Sequence, residues 1–92
     1  MINNQKTLFK FIQINKNVNW NYLSDKYTLS ENFIKEFQDK VDWFKISICQ
    51  ELSESFIKEF QNKVYFNKIS RYQKLSDDFK SEFKHKLTNN QF

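Results

Sequence analysis

The side chains that most often carry catalysis or bind metals are rare in this sequence. His85 is the only histidine and Cys49 is the only cysteine. A nucleophile needs a base within hydrogen-bond reach, and a zinc site needs about four Cys, His or acidic ligands at short spacing. His85 lies in a lysine-rich stretch at a predicted helix end, where a cationic side chain suits the helix dipole. We therefore predict a protein without enzymatic activity, metal or cofactor.

A second group of residues could bind nucleic acid, because lysine and arginine bind phosphates and tyrosine stacks on bases. Such residues are interleaved along the chain at Tyr22, Lys45, Lys68, Arg71 and Tyr72. The charge is uneven, however. Residues 30–63 carry five lysines against seven acids, so the net charge of +4 comes from the two flanks. A groove that follows phosphates is normally basic along its length, so nucleic-acid binding remains the alternative function.

These residues belong to a 23-residue unit that occurs three times without an insertion. Such a period is the mark of a repeat architecture. We predict one domain, residues 1–92, divided at the period. Its parts are a degenerate half-unit (1–17), repeat 1 (18–40), repeat 2 (41–63), repeat 3 (64–86) and a tail (87–92). Within the half-unit, Phe11 and Ile14 stand one period before Ile34 and Phe37.

Each unit predicts two short helices. The first begins near Asn19, Asp42 or the poorer capping residue Tyr65, and the second has a serine N-cap followed by acidic residues. Helices of about ten residues are marginal alone and must stack on neighbours. The pattern therefore predicts an all-α protein, with helix-turn-helix repeats stacked as a small α-solenoid or a compact helical bundle.

Within this fold, the repeated aromatic residues should form the core shared by neighbouring units. These are Phe33, Phe37, Phe56 and Phe60. The recurring Ser24, Ser47 and Ser70 lie beside the apolar stripe, where a small side chain permits close helix approach. Glu36 and Lys40 have the spacing of an i,i+4 pair. Lys80 replaces the isoleucine of the other units, which suits a terminal repeat.

The pattern Trp-x-x-Ile-Ser, a short gap, then Leu-Ser-Glu-x-Phe-Ile-x-x-Phe resembles tandem repeats in uncharacterised proteins of giant viruses, phages and AT-rich bacteria. The resemblance covers residues 18–86 and is closest in repeat 2. It implies a helical repeat in a viral or mobile-element setting and carries no known activity. The absence of Gly, Pro and Ala agrees with an AT-rich genome, and that bias also explains many of the lysines.

One break in the repeat indicates a binding surface. At the outward positions of the first helix, repeats 1 and 3 are polar, but repeat 2 has Phe44 and Ile48. One interpretation is internal packing against the chain termini. The other is an exposed apolar patch near Lys45, Tyr22 and Tyr72, and such patches mark partner sites. We predict protein binding there, with self-association as a third possibility.

The partner and the compartment are expectations from the inferred source. Small phage proteins often occlude a host machine, so a host protein or complex is the expected partner, and an inhibitor of host defence of the anti-CRISPR type is a reasonable hypothesis. The single Cys49 and the absence of a long apolar run favour a reducing, cytoplasmic location in the host cell without membrane insertion.

Overall fold

The computed structural model describes residues 17–88 together with Lys10 and Ile12. These residues form seven α-helices and no strand. The helices are α1 (Trp20–Lys26), α2 (Glu31–Glu36), α3 (Trp43–Cys49), α4 (Glu54–Glu59), α5 (Phe66–Tyr72), α6 (Asp77–Glu82) and α7 (Lys84–Thr88). The predicted all-α fold with two helices per unit is confirmed. The expectation for Phe11 and Ile14 lies outside the described residues.

The caps set the helix starts as the sequence predicted. Ser30, Ser53 and Ser76 each accept a hydrogen bond from the backbone N–H three residues ahead. Asn19 and Asp42 cap α1 and α3 in the same way, whereas Tyr65 makes no side-chain cap to α5. The helices are shorter than expected, with six or seven residues in α1 to α6.

The units stack into an elongated body of 43 × 22 × 20 Å. The first helices of the units, α1, α3 and α5, pack against one another in order. The second helices, α2, α4 and α6, form the other layer. Ion pairs connect this layer, since Lys35 Nζ lies 3.0 Å from Glu59 and Lys58 Nζ lies 3.0 Å from Glu82. The core lies between the two layers.

Each unit contributes an equivalent pair of aromatic rings to that core. The ring of Trp20 lies 5.2 Å from that of Phe37, Trp43 lies 5.4 Å from Phe60, and the Phe66 ring lies 5.9 Å from that of Phe83. The indole Nε1 of Trp43 also donates to the Gln38 carbonyl at 2.9 Å. Trp20, Trp43 and Phe66 therefore occupy equivalent places, as the period predicted.

Repeat 3 departs from the other two at its outer end. Lys80 is exposed, whereas Ile34 and Ile57 at the same repeat position are fully buried. The residues after Phe83 form α7, which packs on α5, whereas residues 37–40 and 60–63 are turns. The sequence did not predict α7. Glu36 is the last residue of α2, so Lys40 lies in the turn and the helical i,i+4 pair expected there was wrong.

Candidate binding face on the first helices

The outward side chains of α1, α3 and α5 form one continuous surface, which we call the first-helix face. Between them, the inward positions such as Leu23 and Ile46 are buried. The face consists of Asn21, Tyr22, Asp25, Lys26, Phe44, Lys45, Ile48, Cys49, Asn67, Lys68, Arg71 and Tyr72. Three of the large hydrophobic residues that remain exposed in the described chain lie on it, and the fourth, Tyr65, is the residue before α5.

The predicted site residues all lie on this face. Tyr22 and Tyr72 are about half exposed, Phe44 is 38% exposed, and Lys45 and Ile48 are half-buried. The second set, the predicted nucleic-acid contacts, adds Lys68 and Arg71 on α5. The fold therefore brings both sets to the same surface.

Two glutamines that the sequence interpretation missed hold neighbouring units in register. The Gln50 amide donates to the carbonyls of Ser24 and Tyr27 at 2.9 and 2.6 Å, and its Oε1 accepts the Leu29 N–H at 2.9 Å. Gln50 is almost completely buried. Its side chain thus satisfies backbone groups where α1 ends, which a helix cannot satisfy by itself.

Gln73 repeats this arrangement one unit later. Its amide donates to the carbonyls of Ser47 and Gln50 at 2.9 and 2.7 Å, and its Oε1 accepts the Leu52 N–H at 3.1 Å. Both glutamines stand immediately after a first helix and 23 residues apart. That periodic polar residue was the signal available in the sequence. Repeat 1 has Tyr27 at this position.

The recurring serines do more than permit close approach. Ser24 Oγ accepts the Asp42 N–H at 3.0 Å, and Ser47 Oγ accepts the Tyr65 N–H at 3.0 Å. Both serines are fully buried, and each bond connects one unit to the start of the next first helix. Ser70, in the last unit, is exposed and donates to the Asn67 carbonyl instead. The hydroxyl therefore has a structural role that requires a following unit.

Carboxylates in α2 and α4 each bind the N-cap serine of the following second helix. Glu31 accepts from the backbone N–H and hydroxyl of Ser53, at 2.7 and 3.0 Å. Glu54 accepts the same pair from Ser76 at 2.6 and 2.9 Å. The bonds from Ser76, the backbone N–H first, hold the pKa of Glu54 below its ordinary value. Glu31 and Glu54 therefore connect neighbouring units and stabilise their stacking.

The two interfaces between first helices share these backbone bonds but differ on the face. Between repeats 1 and 2, the Asn21 side chain donates to the Asp42 carboxylate. One period later, the Phe44 and Tyr65 rings meet edge to face at 5.4 Å. Lys68 Nζ lies 5.5 Å from the centre of the Phe44 ring, within the range of a cation–π contact. Phe44, one of the two apolar residues that interrupt the polar pattern in repeat 2, therefore contacts repeat 3.

An open groove of about 430 Å³ lies between the ends of α3 and α5. Its apolar lining comes from Ile48, Leu52 and Tyr72, and charged Glu51 and Lys74 lie at its walls. This volume lies within the range of about 300–1,000 Å³ that is common for ligand pockets. At the equivalent position between α1 and α3, Asp25 replaces Ile48.

Asp25 and its neighbours form a polar cluster on the α1 side of the face. The Asp25 carboxylate lies 3.8 Å from Lys45 Nζ and 4.0 Å from Lys26 Nζ. It also accepts a hydrogen bond from the Cys49 thiol at 3.3 Å. Partial burial and this bond raise the pKa of the Cys49 thiol, so the cysteine is a poor nucleophile. The charged groups of this cluster, Asp25 with Lys45 and Lys26, are arranged as ion pairs.

Within the described residues, His85 and Cys49 lie on different helices. His85 is exposed on α7, and Cys49, at the end of α3, contacts Asp25 of α1. No three His, Cys, Asp or Glu residues of residues 17–88, Lys10 and Ile12 are grouped so that they could hold a metal ion. No helix in this part of the chain has the length and apolar composition needed to cross a bilayer.

The fold and the face define a helical-repeat protein with an aromatic and basic surface on one layer. No protein-family model, curated protein or solved structure matches this chain.

Proposed function

We propose that this chain is a non-enzymatic helical-repeat protein that binds another protein through the first-helix face. Phe44 and Ile48 are the centre of the contact, and Lys45, Tyr72 and Tyr22 surround them. The observation that carries the proposal is the difference between two interfaces with the same backbone frame. At the interface between repeats 1 and 2, Asn21 and Asp42 form a hydrogen bond on the face. At the equivalent place between repeats 2 and 3, Phe44 and Tyr65 are exposed.

The hydrogen bonds that connect the backbone frames of the units do not involve the aromatic residues on this face. The bonds from Gln50 and Gln73, and those to Ser24 and Ser47, connect the units at both interfaces whatever the outward residues are. At the first interface the same bonds form with the polar side chains of Asn21 and Asp42 on the face. Exposed aromatic residues that take no part in such bonds are typical of the energetic centre of a protein interface.

Nucleic-acid binding has less support than protein binding. Lys45 is paired with Asp25, and Lys68 lies over the Phe44 ring. Phosphate binding would have to replace both contacts, and Asp25 and Asp42 would repel the phosphates. A host defence complex is the special case of the protein proposal that the inferred viral source favours.

The repeat supplies a variant that tests the proposal with little risk to the fold. Phe44→Asn, Ile48→Asp and Tyr65→Asp place on the second interface the residues of the first. The substitutions should recreate the Asn21–Asp42 bond and, with Lys68, the Asp25–Lys45 ion pair. We call this the repeat-1 variant. A matched control, Ser55→Asn with Asp78→Asn, copies the repeat-1 residue Asn32 onto the second-helix layer.

The experiment is a pull-down from host lysate, followed by titration of the captured protein in purified form. We expect wild type and control to bind it alike and the repeat-1 variant to lose at least about tenfold in affinity. A protein bound equally by all three would contact another surface, and the proposal would then be wrong.

A further inference from the structure

The fold sorts charge between the two layers, although the sequence distributes it along the chain. The first helices carry four cationic residues against one acid: Lys26, Lys45, Lys68 and Arg71 against Asp25. The second helices carry seven acids against three lysines. The acids are Glu31, Glu36, Glu54, Glu59, Asp77, Asp78 and Glu82, and the lysines are Lys35, Lys58 and Lys80. The molecule therefore presents a basic layer and an acidic layer.

The positive charge on and beside the first-helix face is less compensated by acids on its α5 side than on its α1 side. On the α1 side, Asp25 offsets Lys45 and Lys26. On the α5 side, Arg71 and Lys74 are exposed and have no acid at ion-pair distance within the described residues. Lys74 lines the groove itself, beside Ile48 and Tyr72. The groove, whose lining is mixed and includes Glu51, thus has two exposed cationic residues on its α5 side, Lys74 on its wall and Arg71 next to the lining residue Tyr72.

We infer that the partner segment bound at this groove is acidic and carries one large apolar side chain, which enters between α3 and α5. This inference rests on the proposed protein-binding function and specifies its ligand. Carboxylates flanking the apolar residue face Arg71 and Lys74, and the apolar residue contacts Ile48, Leu52 and Tyr72. The groove, at about 430 Å³, is near the small end of ligand pockets and suits individual side chains.

A peptide fits this surface better than a nucleic acid does. Glu51 lines the groove and Asp25 lies one helix away. A nucleic acid places a charge at every residue, so some phosphates would lie near these carboxylates. A peptide can place its acids beside Arg71 and Lys74 and leave neutral side chains elsewhere. Complementary charge of this kind mainly sets specificity and association rate.

The probe is a display library of random short peptides, selected on the full chain at about 150 mM salt, where long-range attraction is screened. We expect selected sequences to combine several Asp or Glu residues with one Trp, Phe or Leu. The best peptide, labelled, should bind about tenfold more weakly to Arg71→Gln with Lys74→Gln. The charge-matched control, Lys40→Gln with Lys80→Gln, removes two exposed lysines outside the face and should bind like wild type.

Three results would overturn the inference. These are selected peptides without acids, no selected peptides, or equal weakening in the control. If the captured partner still depends on the repeat-1 substitutions, the proposed function survives such a failure. A labelled oligothymidine that binds more tightly than any selected peptide would overturn both, since the face would then be a nucleic-acid site.

Discussion

The ring of Phe44 meets the ring of Tyr65 edge to face, with 5.4 Å between centroids. The two residues are 21 positions apart, as are Asn21 and Asp42, which are bonded to each other one repeat earlier. The aromatic pair therefore replaces a polar pair at the same point of the array. It also explains why Tyr65 stands where a capping residue was expected, since its side chain contacts Phe44 and leaves α5 without a side-chain cap.

A double-mutant cycle measures the interaction free energy between Phe44 and Tyr65. Phe44→Ala and Tyr65→Ala, singly and together, should give a coupling free energy of about 0.5–1.5 kcal/mol, the range for aromatic pairs. The measurement is urea denaturation followed by circular dichroism. A coupling indistinguishable from zero would mean that the rings do not interact in solution. Phe44 with Tyr22, which lies on another helix, provides the control cycle and should be additive.

Gln50 should be the polar residue on which stability depends most. Gln50→Met keeps the length of the side chain but leaves the Ser24 and Tyr27 carbonyls and the Leu29 N–H without this partner. We expect the free energy of unfolding to fall by about 2–4 kcal/mol, because unsatisfied buried polar groups are costly. Chemical denaturation checks the value.

The matched control for Gln50 is Gln61→Met. Gln61 makes one hydrogen bond, to the Lys58 carbonyl, at the surface. Its replacement should change stability by less than about 0.5 kcal/mol. Equal effects of the two substitutions would show that Gln50 does not hold the units together.

Phe56 tests the aromatic core. It is almost fully buried, and its ring lies 4.7 Å from that of Phe60 and 6.1 Å from that of Trp43. Phe56→Ala should cost about 3–5 kcal/mol, a large part of the stability of a small domain. The variant should be mostly unfolded by circular dichroism, whereas exposed Tyr22→Ala should melt like wild type. A Phe56→Ala protein that also melts like wild type would contradict the assigned core.

Glu54 should make stability depend on pH in the acid range. Its pKa is lowered in the folded state by the bonds from Ser76, so these bonds contribute stability above the ordinary glutamate pKa of about 4.3. That contribution is lost as the pH falls through the lower folded-state value. Glu54→Gln should therefore flatten the dependence of the urea midpoint on pH below about pH 5. Glu36→Gln is the control, and identical slopes for the two variants would refute the role.

The sequence predicted the frame because the frame is local and periodic. Ser30, Ser53 and Ser76 cap their helices as expected, and the contacts of Trp20 and Trp43 confirm the period. These features depend on neighbours within one unit, and an unbroken 23-residue spacing carries them into each repeat.

Contacts between units were predicted less well. Gln50 and Gln73 each follow a first helix whose inner face is apolar, so the sequence pattern gives them no predicted role. Their hydrogen bonds reach backbone groups 21 to 26 residues away. Phe44 and Tyr65 break the repeat pattern at separate places in the sequence, and only the fold brings their rings together. Counting charge in consecutive blocks of the sequence does not reveal the basic and acidic layers, because each block contains both first and second helices. Comparing positions 21 apart would have found the aromatic pair.

We predict that the helical frame folds without Phe44, Ile48 and Tyr65, which form a surface on it. Thermal unfolding of the repeat-1 variant, followed by circular dichroism, tests it most directly. We predict one cooperative transition with a Tm within about 8 °C of wild type, since 1 kcal/mol shifts the Tm of a domain this small by roughly 4–8 °C. Loss of the cooperative transition would place these residues in the folding core and contradict the claim.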